Sequence, residues 1–193
     1  RQPRSMLAGL EPKETHQMPR VPYVPADLSE PQDIVAAVRA RRGGTLLNLD
    51  RMLLHSPALA QGWNTYLGAV RNQLQLSPRL RELAMCVVAI LNGADYEFHH
   101  HAPEFLKAGG NQAQLDAMRT PETARHATGL FNDVERAALG VAIEMTRSVK
   151  VSDDTFAALA AGLPEREVVE FVGTVATYNM VSRFLVALGV EPE

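Results

Sequence analysis

Glu97 and His101 stand four residues apart in the stretch NGADYEFHHHAPEFLKAGG, Asn92 to Gly110, and are the pair in this sequence best spaced to do chemistry. On a helix, side chains at i and i+4 share a face, so this acid and this imidazole lie within reach of a direct hydrogen bond. His99 and His100 do not join them: consecutive helical residues point about 100° apart, so three adjacent histidines cannot converge on one metal ion. Glu82 is the third candidate, near the start of the preceding helix. The break at Asn92-Gly93 is expected to fold that helix back as an antiparallel hairpin, bringing Glu82 toward the face that carries His101. Two carboxylates and one imidazole in an apolar setting shift one another's pKa values and can hold and move a proton near neutral pH, which is general acid/base chemistry. The same residues also admit two other readings. One is a solvated surface pair, and the other is a metal site with Glu82, Glu97 and His101 as ligands for Fe, Mn or Zn.

The elements that must position these residues are helical throughout. PQDIVAAVRARRGG has proline at its first turn and glycine at its end, the start and stop signals of a helix. Arg39, Arg41 and Arg42 then read as cations that complement the helix C-terminus. A short helix is expected through LLNLDRMLLH, ending before Ser56-Pro57. From Pro57, the positions Leu59, Trp63, Leu67, Val70 and Leu74 make one apolar face, with Trp63 read as core. Ser77-Pro78 caps PRLRELAMCVVAILNG, whose later half is apolar nearly all round and so belongs at the centre of the fold. The quoted helix runs from about Asp95 to Lys107 and is closed by Gly109-Gly110. A short helix follows near Gln112 to Met118. Asn132 and Glu135 form a capping box at the head of NDVERAALGVAIEMTRSV. Ser152 caps a short helix ending at Gly162, and Pro164 opens a long, mostly apolar helix stopped by Gly189. No window alternates with period two, so the expected fold is all-α. RELAMCVVAIL and ERAALGVAIEM echo each other faintly, as a duplicated helical unit would.

Composition bounds the remaining classes. At 193 residues, 46% hydrophobic and 21% charged, the chain suits one globular core. A net charge of −3 without an evident basic face gives no electrostatic support for nucleic-acid or anionic-membrane partners. The single cysteine, Cys86, allows no internal disulfide and no C-x-x-C motif, as expected of a cytoplasmic protein. The N-terminal stretch has no apolar run long enough for a signal core, and no later stretch is expected to span a membrane. A start on Arg1 is expected of a chain with residues missing upstream. Pro3, Pro12, Pro19, Pro22, Pro25 and Pro31 mark residues 1–30 as an extended proline-rich arm, lying across its own domain or a neighbouring subunit, ahead of a single helical domain over 31–193.

RELAMCVVAILNGADYEFHHHAPEFLKAG resembles the carboxymuconolactone decarboxylase family, which includes the alkyl hydroperoxidase D proteins. LLHSPALAQGWNTYLGAVR and VVEFVGTVATYNMVSRFLVAL are similar to its longer members, so the resemblance runs from Leu46 to Leu188. It implies a single-domain helical bundle of the alkyl hydroperoxidase D-like type and a homo-oligomer. In the hydroperoxidase branch the motif is a Glu, a C-x-x-C and a His, which fall here on Glu82, Ala94, Glu97 and His101. Both thiols are absent, and peroxide reduction needs a thiolate and its resolving partner. Cys86, inside the apolar helix, reads as a small core residue and not a substitute. The decarboxylase branch carries E-x-x-x-H, which Glu97 and His101 match. That branch implies release of CO2 from a small lactone or keto carboxylic acid without metal or organic cofactor. His101 is then the proton donor, Glu97 its orienting partner, and Glu82 either tunes the shared proton or binds substrate.

Two further residues are candidates for binding the substrate. Arg183 shares a face of the last helix with Asn179 and could clamp a carboxylate in bidentate fashion, and His100 could reach the mouth of the pocket. A third reading of the whole chain is a non-catalytic oligomeric binder of small ligands.

Overall fold

Ten helices and no strand make up the regular structure among residues 19–193, the part of the chain described by this computed structural model. In order they are α1 (Gln32–Arg42), α2 (Asn48–Leu53), α3 (Pro57–Asn72), α4 (Pro78–Asn92), α5 (Asp95–Lys107), α6 (Gln112–Met118), α7 (Pro121–Ala124), α8 (Asp133–Ser148), α9 (Asp153–Ala160) and α10 (Glu165–Leu188). The fold is all-α, as the periodicity indicates. The four-residue α7 has too few residues for a periodic signal and was not anticipated.

Helix α4 is the axis of the molecule. Every residue from Leu83 to Ala89 is essentially inaccessible, and α5, α8 and α10 pack around it. An element covered on all sides has no polar face to keep, which is why its later half reads as apolar all round. Ser77 accepts the backbone N–H of Leu80 at its head, and Gly93, in the left-handed region at φ 62°, ends it and turns the chain into α5. The hairpin expected from Asn92-Gly93 therefore forms.

Local signals hold elsewhere, with three corrections. Asn132 and Glu135 form the reciprocal capping box of α8, and Asn111 with Gln114 forms another at α6. Ser152, in contrast, does not cap α9 with its side chain. Its hydroxyl goes to Thr155, because the Glu144 carboxylate gathers both the Ser152 N–H and the Thr155 hydroxyl. On α3 the buried face is Ala60, Trp63, Leu67 and Val70, whereas Leu59 is 46% exposed. Ala60 and Leu59 are both compatible with Trp63 by spacing, and the smaller residue won the interior position where α3 packs closely. Finally, α10 has the length and apolar composition of a membrane span, contrary to expectation, with half of its most apolar window buried inside the fold. It is hydrophobic on several sides because it packs against α4, α8, α9 and α3.

Of the proline-rich arm, residues 1–18 lie outside the described part. Residues 19–30 run in irregular conformation over the chain's own helices. Val21, Tyr23, Val24 and Leu28 pack on the core. Arg51 and Arg39 donate to carbonyls of Val24, Ala26 and Leu28. The Arg20 N–H reaches the Leu188 carbonyl at the end of α10.

Candidate active site

The α4–α5 hairpin places Glu82, Glu97 and His101 in one buried line. His101 Nδ1 is 2.6 Å from Glu82 Oε2, and His101 Nε2 is 3.3 Å from Glu97 Oε2. All three side chains are at most 7% exposed, so the solvated-pair reading does not hold. His99 is exposed and His100 half-buried, as the turn of the helix requires. The Tyr178 ring from α10 stands edge-on to the His101 imidazole, with centroids 4.9 Å apart, which fixes the ring plane from a third side. On the far side of Glu82, Arg81 Nε approaches Oε1 at 3.7 Å.

Burial alone depresses the His101 pKa. The contacts with Glu82 and Glu97 and their charges outweigh that and raise it above its ordinary value. An imidazolium between two carboxylates donates from both nitrogens. Because the folded-state value lies above the unfolded one, the stability this proton contributes is complete below about pH 6.5 and is lost as the pH rises through the folded-state value. The thermal-melt difference between the wild type and His101→Gln is therefore expected to be largest near pH 6 and to shrink under alkaline conditions. A difference that stays constant across that range contradicts a protonated His101 in the cluster.

Glu97 and His101 open onto a cavity of about 160 Å³, whose walls also include Arg41, Arg42, Trp63, Arg71, Tyr96, His100, Glu104 and Tyr178. That is close to the size of an apolar cavity that holds benzene, so a small compact molecule fits. Glu82 is not among the residues lining the cavity and stands behind the imidazole, on Nδ1. His100 does line the cavity, and its Nε2 lies 3.0 Å from the Glu193 carboxylate. Arg183 is not brought to the site. It lies about 140° around α10 from Tyr178 and bonds within its own helix to Asn179, whose side chain ties α10 to Asn92 and Thr146.

Three arginines also line the cavity, and the sequence does not announce them. Arg41 and Arg42, read above as complements to a helix end, turn to Asp50 and the cavity. Burial, then the neighbouring Arg42, lowers the Arg41 pKa to about 10, with Asp50 opposing. Arg71, from the last turn of α3, has no hydrogen-bond or ion-pair partner among the described residues. Burial works against its charge, and the carboxylates of Glu82, Glu97 and Glu104 favour it. Tyr178 is 1% exposed and its hydroxyl likewise has no partner among the described residues. Burial pushes that phenol up, so it remains a neutral donor. No motif links these residues, since α1, α3 and α10 are distant in sequence. A charged last turn on an otherwise apolar α3 was the one available signal.

Two alternatives can be compared with this geometry. Among the described residues no three His, Cys, Asp or Glu side chains converge as a metal-holding group. In this cluster the imidazole stands between the carboxylates, one on each ring nitrogen, so the three do not share a centre. Cys86 is fully buried on α4, and burial, with Glu82 and Glu97 adding, pushes its thiol up, leaving no thiolate for redox chemistry.

The fold is shared with known structures. A peroxidase-related protein from Silicibacter sp. TM1040 superposes with a TM-score of 0.73 at 16% identity, over 96% of each chain. An alkylhydroperoxidase AhpD core protein from Ralstonia eutropha JMP134 does so at 0.75 and 20% identity, over 92% of this chain and 94% of that one. The debrominase Bmp8, solved with 2,3,4-tribromopyrrole, gives 0.72 at 17% identity over 89% and 90%. These likenesses show that the chain shares the all-helical fold of those proteins. Residues 57–144 match the sequence model of the carboxymuconolactone decarboxylase family. No curated protein matches it by sequence.

Proposed function

We propose that this protein is a cofactor-free lyase that uses acid/base proton transfer on a small lactone or keto carboxylic acid. The observation that carries the reading is the buried Glu82–His101–Glu97 line opening onto a cavity through Glu97 and His101. Loss of CO2 from such an acid breaks the bond between the carboxylate carbon and its neighbour. The electron pair passes into the conjugated carbonyl as an enolate, and a proton must then be delivered to carbon. His101 supplies that proton from the Nε2 side, Glu97 holds the ring and faces the substrate, and Glu82 supports the charged imidazole from behind. Few water molecules fit beside a substrate in a cavity of this size, and a dry site favours loss of the carboxylate charge as CO2.

A homo-oligomer belongs to the same proposal. Leu59 and Tyr66 on α3, with Val169 and Met180 on α10, are exposed apolar side chains on helices joined by the Tyr66–Thr177 hydroxyl bond. Such an apolar face is suited to burial against a second copy.

The direct test is a screen for CO2 release from small lactone acids and β-keto acids, using protein freed of metal by a chelator. Turnover of at least one compound, saturable and undiminished by the chelator, is expected. Absence of CO2 release across the panel rejects the lyase reading.

A further inference from the structure

We infer that Arg71 and Tyr178 form an oxyanion receptor that holds the enolate oxygen of the substrate in the cavity shared with Glu97 and His101. The enolate role rests on the lyase reading above, whereas the receptor itself is a binding site that can be tested without turnover.

The other cavity cations are already engaged. Arg42 donates to Asp50 from two nitrogens, and Arg41 is bound to Asn64 and Asp50. Both guanidinium groups already have acceptors. Arg71 is the cavity-lining guanidinium with none among the described residues, and it is only partly exposed. The buried side-chain atoms left without a partner among the described residues are Arg81 Nε and Ser182 Oγ, so the Arg71 and Tyr178 donors are reachable from the cavity. Two strong donors without acceptors on the wall of one small cavity are therefore placed for an acceptor that arrives with the ligand.

Their position selects which ligand atom that is. Both line the cavity onto which Glu97 and His101 open, so they face a common region. The Tyr178 ring is packed edge-on against His101, which ties the receptor to the proton donor and not to the outer mouth, where His100 meets Glu193. As the carboxylate bond breaks, the electron pair moves through the adjacent carbon onto the carbonyl oxygen, which becomes the enolate. Tyr178 donates a hydrogen bond to that oxygen and Arg71 offsets its charge. When His101 protonates carbon, the pair returns and the carbonyl is restored. Donors placed where charge develops are worth more in a water-poor site than in solution.

The test uses 4-nitrophenolate, a compact anion whose phenolate oxygen imitates an enolate and whose colour reports its ionisation. Wild-type protein is expected to bind the phenolate form. Tyr178→Phe and Arg71→Met are each expected to weaken that binding about tenfold or more, while His101→Gln changes it only a few-fold. With a substrate that releases CO2, Tyr178→Phe is expected to lower kcat about a hundredfold with KM little changed. If wild type does not bind the phenolate, or if both variants bind it as wild type does while keeping a native melting transition, the receptor is rejected. If the variants lose phenolate binding but no acid is decarboxylated by wild type, the receptor stands and the lyase reading alone fails.

Discussion

His101→Gln is expected to lower CO2 release by about 10²–10⁴-fold while leaving a folded protein. Glutamine keeps much of the volume of the imidazole and two polar ends, so it can still lie between Glu82 and Glu97, but it cannot carry a transferable proton. The effect is large because neither the neighbouring histidine, the buried thiol nor Glu82 is placed to substitute. His100 is turned to Glu193 at the mouth, and Cys86 and Glu82 do not line the cavity. The change also takes away the only cation between two buried carboxylates, leaving Arg81 beside Glu82 at 3.7 Å, and removal of one partner from a buried charge cluster is destabilising. Activity and thermal unfolding should thus be measured on the same preparation. Turnover equal to wild type in a protein with a normal melt removes His101 from the chemistry.

The second large effect is on stability and lies away from the site. Glu135→Ala is expected to cost about 2–4 kcal/mol, because one carboxylate serves two elements. Glu135 is 3% exposed, accepts the guanidinium of Arg79 from α4 and closes the capping box by accepting the Asn132 N–H. Alanine leaves a backbone donor at the head of α8 and a half-buried guanidinium without their acceptor. Arg79 keeps Gln114 and the Gly109 carbonyl, which moderates the loss. For a chain of this size the melting temperature should fall by roughly 4–16 °C. Glu135→Gln retains an oxygen for the cap but not the charge, so it should fall between the two. Thermal unfolding of the three proteins resolves the contributions, and an alanine variant as stable as wild type shows that Arg79 finds full compensation elsewhere.

Local rules account for the parts of this structure that short range decides. The start of α4 at Ser77-Pro78, its left-handed stop at Gly93 and the capping box of α8 depend on residues within a few positions of one another, so one stretch of sequence contains the whole interaction. The pairing of Glu97 with His101 is of the same kind, because a helix brings i and i+4 together whatever surrounds it. Ambiguity began where two local choices were equally good. Leu59 and Ala60 both fit a face with Trp63, and only the closeness of the neighbouring helices chose between them.

By itself, then, the sequence determined an all-helical chain, a hairpin between α4 and α5, and an acid–imidazole pair in a chain with a single cysteine. Tertiary structure decided that the pair is buried, that Glu82 stands behind His101 and not on the cavity wall, and that Arg183 is on another side of α10. It also brought residues of α1, α3 and α10 to the same cavity, where Arg41, Arg42, Arg71 and Tyr178 come together across more than a hundred positions. The physical reason is one of range. Periodicity fixes which residues share a face of one helix, whereas the meeting of faces is set by how whole helices pack, and that depends on the volumes of side chains contributed by every element of the core.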